Sequence, residues 1–197
     1  MKVLIVGDSQ AAGPAGRVVE ETLTARGVPV RRIGHVGHGA YDWTRMHWDE
    51  YTAAVRQLQP DHVLMIFGGN DLPDERLERA FRQFQQTAPN VWYAGPPRYD
   101  GRPDLQARST RIRQLAKRVF GTKHLDAWPY SGPEVPRARD SVHFSASGGR
   151  RWAEGILRDW GAALSGAVSR VPVWVGPAVL GGAAVLLVGF WWTLRRG

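Results

Sequence analysis

The sequence predicts an α/β fold: a three-layer α/β/α sandwich around a mostly parallel five-stranded sheet, followed by a C-terminal transmembrane helix. Three observations lead there. Short continuous apolar runs alternate with helical stretches as far as about residue 165, the pattern of a parallel sheet covered on both faces. Polar, glycine-rich segments follow directly after the apolar runs, where open sheets of this kind place their functional loops. Residues 171–194 contain no charged side chain.

The elements follow in order. Val3–Val6 reads as a strand buried on both faces. It is too short for the apolar core of a signal peptide, which needs about 7–15 residues. Gly7 to Gly16 reads as a small-residue turn, and Val18–Ala25 as a helix stopped by Gly27. Val28–Ile33 is the second strand and Trp48–Leu58 a helix closed by Pro60. His62–Phe67 is the third strand, Glu75–Gln86 a helix, and Val91–Ala94 the fourth strand, broken by Gly95-Pro96-Pro97. Leu105–Phe120 is a basic amphipathic helix, His124–Ala127 a short fifth strand, Pro129–Arg139 a loop, and Ser147–Leu164 the last helix.

Residues 171–194 would span about 36 Å as a helix, at ~1.5 Å per residue, against a hydrocarbon core of ~30 Å. Trp174, Trp191 and Trp192 lie near its ends, as in aromatic belts, and Arg170 and Arg195-Arg196 bracket it. The expected organisation is a folded domain over 1–168, a span over 171–194 and a short basic tail over 195–197. The simple topology keeps the domain in the cytoplasm. The two terminal arginines oppose their own translocation, so the side of the membrane stays open. Gly181, Gly182, Ala183 and Ala184 leave room for helix–helix packing, and with it oligomerisation.

The net charge is +8 and there is no cysteine. Thiolate chemistry, disulfides and cysteine-based zinc sites are excluded. Arg108, Arg111, Arg113, Lys117 and Arg118 read as a solvated helix face. With no nucleic-acid motif beside them, no specific nucleic-acid binding is expected. His35 and His38 lack a nearby cysteine or carboxylate pair, which favours loop histidines over a metal site. No metal or cofactor is expected. Trp43, Trp48 and Trp92 read as packing residues before ligand contacts.

Three segments carry possible chemistry. Gly7-Asp8-Ser9 puts a serine at a strand-to-helix turn, where its Oγ stands clear of the sheet and a helix N-terminus favours negative charge. Alone, it fits equally a turn with a serine N-cap. Asp140-x-x-His143 offers a base for a serine hydroxyl and a carboxylate to orient it, or simply a polar loop before a helix. In Gly68-Gly69-Asn70-Asp71, the Asn70 amide can donate to an oxyanion or form an Asx turn. A free backbone N–H at Gly39 would be a further donor.

In combination, these pieces resemble the SGNH hydrolases, also called GDSL-type lipases and esterases. Gly7-Asp8-Ser9 matches the family's first block, Gly68-Gly69-Asn70-Asp71 the third and Asp140-Ser141-Val142-His143-Phe144 the fifth. The second block is a single glycine, best matched by Gly39, with Gly37 as the alternative. Gln10 stands where the family often has leucine. The resemblance covers roughly residues 1–165 and implies the family's flavodoxin-like fold. It implies Ser9 as nucleophile, His143 as general base and then acid, and Asp140 as the residue orienting His143. The Ser9 and Gly39 N–H groups and the Asn70 side chain would form the oxyanion hole. The implied activity is hydrolysis of carboxylic esters, acyl or O-acetyl, through an acyl-enzyme. The substrate would be a lipid or an acetylated glycan, chosen by loops such as Tyr99–Asp104 and Pro129–Arg139. The competing expectation is a non-catalytic, membrane-anchored interaction or structural module on the same fold.

Overall fold

The computed structural model describes residues 1–168, with side chains described to residue 164. The expected span over 171–194 and the tail over 195–197 lie outside the described residues. Among the described residues, no helix is long and apolar enough to cross a membrane.

The strands are β1 (Val3–Gly7), β2 (Val30–Gly34), β3 (His62–Ile66), β4 (Val91–Ala94) and β5 (His124–Leu125). They form one sheet in the order β2-β1-β3-β4-β5, and every pairing is parallel. The helices are α1 (Ser9–Ala12), α2 (Pro14–Ala25), α3 (Ala40–Met46), α4 (Trp48–Leu58), α5 (Glu75–Gln85), α6 (Pro103–Phe120) and α7 (Ala146–Val168).

Alternation along the strands divides the core in two. Val3, Ile5, Leu64, Ile66, Trp92 and Ala94 face α2 and α7, where Trp152, Ile156 and Trp160 complete one cluster. Leu4, Val6, Val63, Met65, Val91 and Tyr93 face the other way, against Trp43, Tyr51, Phe81, Phe84 and Ile112. Side chains two residues apart share a face, so strands with no polar interruption supply both helical layers at once. The three-layer sandwich is therefore the observed architecture. Trp43 and Trp92 are core residues, as their composition suggested.

Two local expectations are corrected, and one helix is new. The segment read as a turn holds α1 and the start of α2. The Asp8 side chain caps α1 by accepting the Gln10 N–H, and Pro14 opens α2 in the first helical turn, where its missing N–H costs nothing. α3 has no counterpart among the expected elements, which pass from Ile33 to Trp48. Its first N–H groups, from Ala40 and Tyr41, are taken by the carboxylate of Asp71, 31 and 30 residues away, and Asp42 at its third position is the one local part of the cap. β5 ends at Leu125, before Asp126 turns to Arg113.

That last contact belongs to a wider pattern on the basic helix α6. Arg113 pairs with Asp126, Arg118 reaches Glu78, and Arg108 donates to the Gly69 carbonyl. These three cations are spent on intramolecular partners.

Candidate active site

The loops after β1, β2 and β3 leave the same edge of the sheet, because the strands are parallel and in register from Val3 to Gly7. This brings Ser9, Gly39 and Asn70 to one end of the molecule. His143 arrives from the loop ahead of α7. Ser9 and His143 line one cavity of about 250 Å³, together with Gln10, Ala12, Gly13, Pro14, Val36 and Phe144. They are not hydrogen-bonded to each other in this structure. Such contacts often tighten only with substrate bound.

The His143 loop is tightly specified. Asp140 Oδ2 lies 2.6 Å from His143 Nδ1, while Oδ1 accepts the N–H groups of Val142 at 2.9 Å and His143 at 3.0 Å. These bonds to the charged form hold the Asp140 carboxyl well below the usual carboxylate range, the His143 side chain contributing most. Ser141 has φ 59°, a left-handed conformation that folds the loop back on itself. Arg137 fastens it from outside. Its guanidinium donates to the Val142 carbonyl at 2.9 Å and lies 3.9 Å from the centre of the Phe144 ring. The Ala138 N–H donates to the His143 carbonyl at 2.8 Å.

Asn70 is tied to the serine turn through Asp8. The Asp8 carboxylate is fully buried and accepts three N–H groups: Gln10 N at 2.9 Å, Gly68 N at 2.8 Å and Asn70 Nδ2 at 2.7 Å. Burial pushes this carboxyl up to about 6, and the three hydrogen bonds restrain the rise. One hydrogen of the Asn70 amide is used in this way and the other stays free to donate. The Ser9 N–H has no acceptor among the described residues.

Gly39 departs from expectation. Its N–H is not free: it donates to Asp42 Oδ2 at 3.1 Å, as part of the cap of α3. The cause is general. The first N–H groups of a helix lack intrahelical acceptors, and a carboxylate at the third position supplies one. Asp42 must release this N–H before Gly39 can serve an oxyanion. Of the two candidate glycines, Gly39 is the one packed against the Asn70 segment. A Cβ there would fall 2.4 Å from the Asp71 carboxylate, whereas at Gly37 it would meet nothing within 4 Å. Asp71 is pushed up to about 7 by burial.

Asp8, Asp42, Asp71 and Arg137 carry no assignment from the sequence. The signal for two of them is their place inside the glycine motifs. The two loops expected to choose substrate, Tyr99–Asp104 and Pro129–Arg139, meet across a second cavity of about 160 Å³, lined by Asp100, Gly132, Pro133, Val135, Arg137 and Ser141.

Comparison with known proteins bears on this arrangement. Residues 5–151 match the GDSL-like lipase/acylhydrolase family. The chain belongs to that family. It is a serine hydrolase acting on carboxylic esters, as the family implies. Several solved structures share the fold. An α/β hydrolase enzyme from the metagenome of Lake Arreo, Spain, aligns with a TM-score of 0.64 at 18% identity, covering 82% of this chain and 95% of that one. An acetyl xylan esterase from Geobacillus stearothermophilus aligns with a TM-score of 0.60 at 19% identity, covering 81% and 94%. A two-domain esterase active on acetylated mannans aligns with a TM-score of 0.54 at 17% identity, covering 90% of this chain and 53% of that one. A comparison with curated proteins finds no significant match.

Proposed function

We propose that this GDSL-like hydrolase removes short acyl groups, acetyl above all, from an acylated glycan beside a membrane that its 171–194 segment enters. The observation that carries the catalytic part is the Asp140–His143 hydrogen bond of 2.6 Å in a loop that shares a cavity with Ser9. His143 Nε2 takes the proton of Ser9 Oγ as that oxygen attacks the ester carbonyl. The Ser9 N–H and the free hydrogen of Asn70 Nδ2 stabilise the negative oxygen that forms, joined by the Gly39 N–H once Asp42 has let it go. His143 then gives its proton to the departing alcohol. Water attacks the acyl-Ser9 by the same route, with His143 again as base, and releases the acid. Asp140 holds the imidazole so that Nδ1 carries the proton and Nε2 is the base.

Support for a short acyl group comes from the cavity. Its volume of about 250 Å³ is that of a small-molecule pocket, and Val36, Pro14 and Phe144 give it apolar walls. The solved esterases named above for acetyl xylan and acetylated mannans support a glycan as the alcohol part. The uncharged stretch over 171–194 supports the membrane as the place of action.

The test uses the full chain in detergent with p-nitrophenyl acetate, butyrate and octanoate, beside Ser9→Ala and a fluorophosphonate label. Turnover that Ser9→Ala abolishes, with acetate preferred, supports the reading. Preference for octanoate would replace the glycan ester by a lipid. A folded protein that neither turns over any ester nor takes the label at Ser9 would make it an interaction module.

A further inference from the structure

Outside the serine site, the described residues hold another concentration of chemical groups. His35 and His38 leave the end of β2, His47 joins α3 to α4, and Glu50 stands in the first turn of α4. The chain has six histidines, and these three pack against one another beside the loop that carries Gly39. The His35 and His47 rings are stacked, with centroids 3.8 Å apart and an interplanar angle of 4°. His35 Nε2 lies 2.7 Å from Glu50 Oε2, and His38 Nδ1 lies 2.5 Å from His47 Nε2. One ligand atom from each of His35, His47 and Glu50 falls within 4.8 Å of the others.

Such a cluster has little to offer stability by itself. Stacked imidazoles repel when both are charged. When neutral, each ring has one N–H and one lone pair, and the His35–Glu50 and His38–His47 hydrogen bonds use only one nitrogen of each ring. A cation would accept lone pairs that these hydrogen bonds leave over. The donor set of two imidazoles and a carboxylate suits a borderline divalent ion such as Zn²⁺ and suits Mg²⁺ or Ca²⁺ poorly. Around a tetrahedral ion with bonds of ~2.0–2.1 Å the donors stand ~3.3 Å apart, so the His35–Glu50 pair must part slightly and the wider separations must close. The groups are half-buried or exposed, in a loop and at a helix start, so that movement is available.

We propose that His35, His47 and Glu50 bind one divalent transition-metal ion of the Zn²⁺ type, with His38 holding the His47 ring in place. The hydrogen bond from a second group to a ligand imidazole is the usual way such a ring is oriented. The ion would fasten the β2–α3 loop to the start of α4, and so brace the segment that carries Gly39. The site shares no residue with the cavity that holds Ser9 and His143, and its existence is independent of the esterase reading.

The test is calorimetric titration of ZnCl₂ into the full chain in detergent, after EDTA stripping and removal of the chelator, with a thermal melt alongside. We expect one Zn²⁺ per chain at a Kd of ~10 µM or tighter, and a melting temperature raised by several degrees through preferential binding to the folded state. Co²⁺ in place of Zn²⁺ should give the visible absorption of a low-coordinate nitrogen–oxygen site. His35→Gln and His47→Gln, which keep a polar side chain in place, should each weaken binding about tenfold or more. His143→Gln should leave it intact, which excludes the Asp140–His143 pair as the binder. Mg²⁺ should produce neither heat nor stabilisation. Absence of saturable Zn²⁺ binding by the folded wild type would overturn the proposal. So would equal affinity in a His47→Gln protein whose far-ultraviolet circular dichroism matches the wild type.

Discussion

Asp8→Asn is the substitution in which stability and activity should separate most clearly. The Asp8 carboxylate is fully buried and accepts N–H groups from Gln10, Gly68 and Asn70. Its carboxyl sits near 6 against an ordinary 3.8, because burial disfavours the charge more than the three bonds restore it. At ~1.36 kcal/mol for each tenfold, that shift is roughly 3 kcal/mol held against folding at neutral pH. Asparagine removes this burden. It also brings one carbonyl oxygen and one NH₂ where two accepting oxygens stood, so at least one buried N–H loses its acceptor, at about 1–3 kcal/mol. The two effects nearly cancel, and the melting temperature should move by only a few degrees. Catalysis has no such compensation. Asn70 loses its charged tether 2.7 Å away, and a misaligned oxyanion donor costs on the order of 10²-fold in kcat. The assay is kcat on p-nitrophenyl acetate with the melt recorded on the same sample. A kcat within threefold of wild type would refute the idea that Asp8 holds a working Asn70. A kcat loss matched by an equal loss of folded protein would refute the cancellation.

The remaining predictions concern the other parts of the site. Asp140→Asn keeps an oxygen for the Val142 and His143 N–H groups but turns an amide toward His143 Nδ1; kcat should fall by roughly 10³-fold with little change in urea unfolding, since Asp140 is exposed. Gly39→Ala drives a Cβ to 2.4 Å from the Asp71 carboxylate; it should destabilise by about 1–3 kcal/mol and lower kcat, and an unchanged melt would show that this contact yields freely. Asp8 and Asp71 are both raised, to about 6 and about 7, so their contribution to stability is full below pH ~4 and is lost as pH rises through 6 and 7. Histidines held low by burial, such as His62 and His124, act in the opposite direction. The measurement is therefore the difference between wild type and Asp71→Asn: between pH 7.5 and pH 5 the wild type should gain roughly 2 kcal/mol more in urea unfolding than the variant. Parallel pH profiles would mean that Asp71 titrates as an ordinary carboxylate.

The sequence by itself determined the layered architecture. The uninterrupted apolar strands Val3–Val6, Val63–Ile66 and Val91–Ala94 have to be covered on both faces, and the amphipathic stretches between the strands supply the covers, while β2, with Arg31 and Arg32, stands at the sheet edge. It also brought Ser9, Asn70, Asp140 and His143 into view, because each stands in a short motif where glycines or neighbouring polar groups mark a turn. Asp140 and His143 meet within one loop, a contact that local spacing can foretell. The tertiary structure decided everything that depends on distant carboxylates. Asp8 connects β1 to the loop after β3, Asp71 caps α3 across 31 residues, and α3 itself escaped notice because most of its cap comes from that distant carboxylate, with only Asp42 local. The state of the Gly39 N–H, taken by Asp42, follows from that helix. The cluster of His35, His38, His47 and Glu50 likewise exists only once α3 and α4 have folded back beside the end of β2. A hydrogen bond or an ion site requires convergence of groups to within a few ångströms, and sequence spacing predicts that convergence only inside a single turn or loop.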